Sequence, residues 1–122
     1  MTGVQTCALP ISFREYLRRV ANQGALGEGI VAIGPWWSDD SRQEMDAVVL
    51  AQRELTRVPV LVGESKWAQS VDAVRIKAGL IRKAAALTPD TDELSYVVCA
   101  RDAVEHPDTQ TLTVTAADIF SA

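Results

Sequence analysis

The sequence predicts an α/β domain with the element order α-β-β-β-α-β, in which helices flank a central mixed sheet. Two apolar, β-branched runs at 47–51 and 58–63 are separated by a polar stretch at 52–57, a pattern typical of a hairpin. An amphipathic pattern over 71–87 predicts a long helix, and another apolar run follows at 94–100. Because the last strand must come back beside the sheet after a crossover helix, we expect the sheet to be mixed.

The first half of the chain is expected to form one helix and three strands. A helix over 13–22 ends at Gly24, and a glycine-containing turn at 24–29 leads to a strand over 30–37. A polar loop at 38–43 carries the chain into a strand over 44–52, and the hairpin partner runs over 58–67.

The second half is expected to contain the crossover helix and the returning strand. Ser70 is a suitable N-cap for the helix over 71–87, and Pro89 stands just past its end. The strand over 94–100 follows, with a short final strand at 111–114. Thr115 can cap a terminal helical turn that reaches Phe120.

Composition limits the chain to one modest domain. An apolar fraction of 48% is typical of a globular protein, and no apolar run approaches the length of a membrane span. Outside the first residues Cys99 is the only cysteine, which favours a small buried side chain in a reducing cytoplasm. The single histidine, His106, is interpreted as an exposed loop residue. A net charge of -4 argues against strong non-specific binding to nucleic acid.

Acidic residues gather at the ends of the two hairpin strands. Residues two apart on a strand share a face, so Glu44 joins Asp46 and Glu64 joins Lys66. If the strands pair, three carboxylates and one ammonium converge on a small patch. Since a buried carboxylate is costly unless a cation or a donor satisfies it, the spacing predicts a site for a divalent cation.

These residues resemble a known family. The segments Ile33-Gly34-Pro35-Trp36-Trp37, Glu44-Met45-Asp46-Ala47-Val48 and Gly63-Glu64-Ser65-Lys66-Trp67 are similar to the PD-(D/E)XK nuclease-like domain, in the version found at the C-terminus of archaeal-type P-loop ATPases. The likeness runs from about residue 13 to residue 120. It implies a restriction-endonuclease-like fold and a nuclease that depends on Mg²⁺ or Mn²⁺.

The resemblance also assigns roles to residues of the candidate site. Asp46 and Glu64 match the metal-binding acids, Lys66 matches the motif lysine, and Glu44 matches the acid two residues before the aspartate. Glu15 stands where the superfamily often has a first-helix glutamate that reaches toward the metal. The Ser65 carbonyl would be a further metal ligand. Met45 replaces the proline that usually precedes the motif aspartate.

Residues 1–11 look like the translation of a sequencing adapter. We expect this segment to be disordered and the nuclease-like domain to occupy residues 12–122, with an ATPase domain upstream in the complete protein. The segment has no basic region and only a short apolar stretch, so it does not resemble a signal peptide. The alternative is a genuine disordered N-terminal arm.

Several other residues have two interpretations. Lys77 lies within the apolar face of the long helix, where it either extends along its stem to solvent or reaches the acidic cluster. Trp36 and Trp37 point to opposite faces of their strand, so that one is expected in the core. Trp67 is expected to pack under the second helix, with base stacking as the alternative. Basic residues on the two helices are interpreted as solvated faces; they are Arg14, Arg18, Arg19, Arg75, Arg82 and Lys83.

Two functions follow from these expectations. The first is a metal-dependent nuclease domain that cuts DNA and is coupled to an ATPase domain of the same chain. The second is a non-catalytic module that keeps the nuclease fold for binding or regulation, and an αβ domain with fortuitous charges is a third. The sequence has no phosphate-binding G-x-x-x-x-G-K-[ST] stretch, so we expect no ATPase activity from this part.

Overall fold

A computed structural model describes residues 2–121, and it describes side chains for residues 9–121. Three helices, α1 to α3, and seven strands, β1 to β7, are present in the order α1 (Thr2–Asn22), β1 (Ile30–Trp37), β2 (Glu44–Arg53), β3 (Thr56–Ser65), β4 (Ser70–Asp72), α2 (Ala73–Ala84), β5 (Ser95–Ala100), β6 (Ala103–Glu105), β7 (Thr111–Thr115) and α3 (Ala116–Phe120). A 3-10 turn at Thr91–Glu93 precedes β5. Within the described residues, no helix is long and apolar enough to cross a membrane.

The predicted order α-β-β-β-α-β and the mixed sheet are confirmed. The five-stranded sheet has the order β1-β2-β3-β5-β7, with β1, β2 and β3 antiparallel to one another and β5 and β7 added in parallel to β3. The crossover through α2 explains the parallel addition of β5 to β3, because a hairpin turn cannot join parallel strands. The connection from β5 to the parallel strand β7 runs through residues 101–110, which include β6. The ends of β3, β5 and β7 and the beginning of β2 therefore lie at one edge of the sheet.

The sheet is covered on both faces. On one face α1 and α3 pack through Phe13, Leu17 and Ile119 against alternate residues of the strands. On the other face α2 packs through Leu80 and Ala84 against a second set. This two-sided burial follows from the continuous apolar runs of β2 and β3, in which both strand faces avoid water.

Several boundaries differ from expectation. The strand expected over 58–67 is β3 at Thr56–Ser65, so Lys66 and Trp67 lie beyond its end. The first helix begins at Thr2 instead of residue 13, so it includes most of the segment that we expected to be disordered. Leu9 is buried one turn before Phe13 and lies in the same cluster, an i, i+4 spacing that continues the apolar stripe. The adapter origin of this segment stays a prediction.

The second helix begins later than predicted and ends earlier. Asp72, not Ser70, is its N-cap, with the Asp72 carboxylate accepting a 3.0 Å hydrogen bond from the Val74 N–H. The reason is that residues 70–72 form β4, which pairs in parallel with β6 in a two-stranded sheet that the sequence did not predict. The predicted Thr115 cap is confirmed: Thr115 and Asp118 form a capping box at α3.

Candidate functional site

Asp46 lies at the point where the β2–β3 hairpin opens. The register of the two strands begins with the pair Ala47 and Gly63, so Asp46 stands just outside the ladder. Its Oδ2 accepts 2.8 Å hydrogen bonds from both the backbone N–H and the hydroxyl of Ser65. The Asp46 backbone carbonyl accepts a 2.8 Å hydrogen bond from Arg14 on α1. The carboxylate is therefore fixed by β3, and its strand is fixed by the first helix.

Glu64 points toward α2 between two lysines. Its Oε2 lies 3.1 Å from the Lys66 ammonium, and its Oε1 lies 3.8 Å from the Lys83 ammonium. The Glu64 side chain is only 12% exposed. Oε1 is buried and has no hydrogen-bond partner among the described residues. A buried carboxylate oxygen without a donor is unusual, because its desolvation is left uncompensated.

The surroundings of Glu64 disfavour its charge. Burial raises the pKa of the Glu64 carboxyl above its ordinary value of 4.5, and the negative charge of Asp46 raises it further. Lys83 and Lys66 act in the opposite direction without restoring the ordinary pKa. The Asp46–Ser65 hydrogen bonds connect Asp46 to the residue next to Glu64, so both carboxylates lie at the end of β3.

The expected convergence of three carboxylates is wrong. Glu44 is exposed, and its Oε2 accepts a 2.9 Å hydrogen bond from the Trp37 indole N–H. The first residues of β2 pair only with β1, where Trp37 lies opposite Glu44. Pairing of β2 with β3 starts at Ala47. This divergence carries Glu44 away from Glu64. In the part of the chain with described side chains, no group of three or more acidic, histidine or cysteine residues could hold a metal ion.

On the first helix, Arg14 contacts the site and Glu15 does not. Glu15 is exposed, and between residues 9 and 121 its carboxylate makes no ion pair or hydrogen bond with the site. The catalytic role of Glu15 that the resemblance implies stays a prediction. Arg14, one residue earlier, bonds to the Asp46 carbonyl instead.

Lys83, like Arg14, lies at this site although the sequence analysis did not place it there. The only available signal was the basic group on the second helix, which also contains Arg75 and Arg82 and which we interpreted as a solvated face. Lys77, which we considered for the acidic cluster, lies elsewhere: its ammonium is 2.6 Å from Asp108 and 5.1 Å from the centre of the Tyr96 ring.

The aromatic residues divide between core and surface. Trp36 packs against the α2-side core and Trp37 is exposed, as their alternation predicts. Trp67 does not pack under α2 as expected; it is 53% exposed, and the Arg101 guanidinium lies 5.8 Å from its ring centre. The chain turns away from the sheet after Ser65, which ends β3, so the alternation of the strand no longer orients Trp67.

The remaining chemistry-bearing residues agree with their predicted roles. Cys99 is fully buried, and burial raises the pKa of its thiol to about 12, as for a packed apolar side chain. His106 is exposed and lies 3.6 Å from Asp72. A surface cavity of about 650 Å³ lies between the end of α1 and β1, and its lining includes Arg18, Asn22 and Ile33 but none of the acidic site residues.

Comparison with known proteins identifies a family but no characterised relative. No curated protein matches the chain, and no solved structure matches it. A model of the DUF234 family, described as archaea bacterial proteins of unknown function, matches residues 11–77. The matched residues include Arg14, Asp46, Glu64 and Lys66. Since they make up more than half of the chain, the protein belongs to the DUF234 family.

Proposed function

We propose that this chain is a metal-dependent nuclease-type domain that hydrolyses phosphodiester bonds of DNA and that it belongs to a larger protein with an ATPase domain. The observation that carries the proposal is Glu64, a buried carboxylate with one unpartnered oxygen beside Asp46 and Lys66. A buried carboxyl with a raised pKa and one oxygen that accepts no hydrogen bond, close to a second acid and a lysine, supports a functional site. The link to an ATPase domain rests on the sequence resemblance.

The donor atoms suit a hard divalent cation. Glu64 offers Oε1, and the hydrogen bonds that the Asp46 carboxylate accepts within the described residues use Oδ2 and leave Oδ1. Carboxylate and carbonyl oxygens are the ligands that Mg²⁺ and Mn²⁺ prefer. Asp46, Glu64 and the Ser65 carbonyl would therefore hold the ion. Two carboxylates provide enough negative charge to bind one cation that also keeps several waters and a substrate phosphate oxygen.

The residues of the chain have separate roles in this proposal. A divalent cation in such a site supplies Lewis-acid stabilisation of a phosphate and lowers the pKa of bound water. Ser65 holds the Asp46 carboxylate in one orientation through two hydrogen bonds. The Lys66 ammonium, held by Glu64 at 3.1 Å and 48% exposed, can orient the attacking water or offset charge that develops on the phosphate. Arg14 keeps the start of β2 in place.

A non-catalytic binding module is the second candidate. Its support is that Ser65 already satisfies Asp46 Oδ2 and that the described residues hold no cluster of three acidic, histidine or cysteine ligands. The net charge of -4 also disfavours a self-sufficient DNA enzyme. Such a module would bind DNA or a partner domain without cutting.

Metal titration of the full chain tests the proposal. Calorimetry with Mn²⁺ should show one binding event that disappears in Asp46→Asn and Glu64→Gln. Asp39→Asn is the matched control, because Asp39 is an exposed loop acid and its substitution changes the net charge equally. The same four proteins and a Lys66→Gln variant are then incubated with supercoiled DNA and Mg²⁺ or Mn²⁺.

The outcomes separate the two candidates. Metal binding together with nicking that Lys66→Gln abolishes supports the nuclease. Metal binding without nicking of supercoiled, linear or branched DNA supports the binding module. If the wild-type chain and Asp39→Asn fail to bind Mn²⁺ at millimolar concentration, the proposed metal site is wrong.

A further inference from the structure

Lys83 contributes charge to Glu64 without donating a hydrogen bond to it. Its ammonium lies 3.8 Å from Oε1, which exceeds hydrogen-bond distance, whereas Lys66 lies 3.1 Å from Oε2. Oε1 finds no other donor among the described residues. The two lysines therefore differ in distance: Lys66 forms a close ion pair with Glu64, and Lys83 is a more distant counter-charge.

The helix holds Lys83 in this position. It stands in the last turn of α2, directly before Ala84, which is fully buried against the sheet. Its side chain is 24% exposed, half the exposure of Lys66. An ammonium loses much of its hydration in such a place, and a charge pair at this distance recovers only part of the loss. The arrangement therefore leaves both partners incompletely satisfied.

We propose that Lys83 is an internal counter-ion that competes with a divalent cation for Oε1 of Glu64 and so sets the metal affinity of the site. This inference rests on the proposed metal site. A lysine ammonium is a compact charge on a flexible stem, so it can leave Oε1 while α2 stays in place. A displaced Lys83 would remain at the same edge of the sheet, where the phosphate of a bound substrate would compensate its charge.

Competition for Oε1 predicts that metal affinity rises when Lys83 is replaced, whereas a purely structural ion pair does not predict such a rise. Removing the Lys83 charge eliminates a repulsion on the incoming cation, and between charges only a few ångströms apart, even with water-like screening, this corresponds to roughly a tenfold or larger change in affinity. The variant should therefore bind metal more tightly although a native contact has been deleted. If Lys83 only anchored α2, its removal would lower stability and leave metal affinity unchanged or weaker.

Mn²⁺ calorimetry on the full chain tests this inference with Lys83→Gln and Lys83→Met. Arg82→Gln is the matched control, since Arg82 is the neighbouring exposed cation on α2 and has the same effect on net charge. We expect about tenfold tighter Mn²⁺ binding in both Lys83 variants. Arg82→Gln should stay within about twofold of the wild type, because exposed charges are screened. Lys83→Arg keeps the charge and should not tighten binding.

Thermal unfolding supplies a second readout. In EDTA the Lys83 variants should melt below the wild type, and saturating Mn²⁺ should raise their melting temperature by more than it raises that of the wild type. Unchanged or weaker Mn²⁺ affinity in both Lys83 variants overturns the role of Lys83 alone. Failure of the wild-type chain to bind Mn²⁺ overturns this inference together with the metal site.

Discussion

Gly63 determines how closely the first helix approaches the sheet. It faces Phe13 of α1 at the first residue pair of the β2–β3 ladder, next to Glu64. A Cβ at this position would lie 3.0 Å from the Phe13 ring and 3.2 Å from the Val97 carbonyl, and it would overlap the Val97 side chain. The absence of a side chain therefore brings α1, with Arg14, within reach of Asp46.

Gly63→Ala should consequently destabilise the fold. Overpacking of this kind typically costs about 1–3 kcal/mol, and urea unfolding measures it. Gly79→Ala on α2 is the control, because its new Cβ would meet only the flexible end of Arg82 at 3.7 Å. Alanine is the better helix former, so this variant should gain about 0.5–1 kcal/mol. Equal stability of the two variants would contradict the close packing of α1 at Gly63.

Glu64 should make stability depend on pH in a direction opposite to that of an ordinary surface ion pair. Its pKa is raised mainly by burial, so the folded chain binds the proton more readily than the unfolded chain. Stability therefore falls as pH rises from 4.5 through the raised pKa and is constant, for this group, above it. Glu64→Gln cannot ionise and should not show this loss.

Urea unfolding in EDTA at several pH values measures the difference. The wild type and Glu64→Gln should be alike near pH 4.5, and the variant should be the more stable of the two at neutral pH. Glu105→Gln, at an exposed acid of β6, should follow the wild type. A variant that is less stable than the wild type at neutral pH would mean that the two lysines outweigh the cost of burial.

At the scale of elements, the two helices bring cations to the hairpin from opposite faces of the sheet. Arg14 comes from α1 and bonds to Asp46, and Lys83 comes from α2 and lies beside Glu64. This arrangement is possible because β2 and β3 are not paired before Ala47. The Ser65 N–H therefore donates its hydrogen bond to the Asp46 carboxylate. The site is therefore a consequence of where the ladder ends.

Much of the element order was predictable because it depends on local patterns. The apolar runs identified β2, β3 and β5, and the i, i+3/i+4 spacing identified α2. The strands β4 and β6 were not predictable, because three-residue strands carry too little periodicity. The start of α2 was displaced for the same reason: its N-cap moved to Asp72 once residues 70–72 were paired with β6.

The site was only partly predictable, since its geometry depends on contacts that are distant in sequence. Asp46, Glu64 and Lys66 could be chosen from spacing on strands. Lys83 lies 3.8 Å from Glu64 but on another element, and no local pattern relates them. Glu44 shows the limit of the two-residue rule: it shares a strand with Asp46, but β3 pairs with β2 only from Ala47 onward, so Glu44 has only β1 as a neighbouring strand.

On the scale of the whole molecule, charge is distributed unevenly. The chain carries a net charge of -4, yet Lys66, Lys83 and Arg101 lie at or just beyond the edge of the sheet where β3 and β5 end. The exposed Trp67 stands beside Arg101 at this edge, where a base could stack on it. Local attraction for a phosphate chain can therefore coexist with overall repulsion.

If DNA binds at this edge, its affinity should depend on salt through these few cations. About three phosphate contacts correspond to a slope of roughly -3 in a plot of log affinity against log salt concentration. Quenching of tryptophan fluorescence by a DNA duplex, without added divalent cation, measures the slope. Lys66→Gln and Arg101→Gln should each reduce its magnitude by about one. Arg57→Gln, at the opposite end of β3, should leave it unchanged. An equal reduction in all three variants would indicate that DNA responds to net charge alone and does not bind at the edge that carries Asp46 and Glu64.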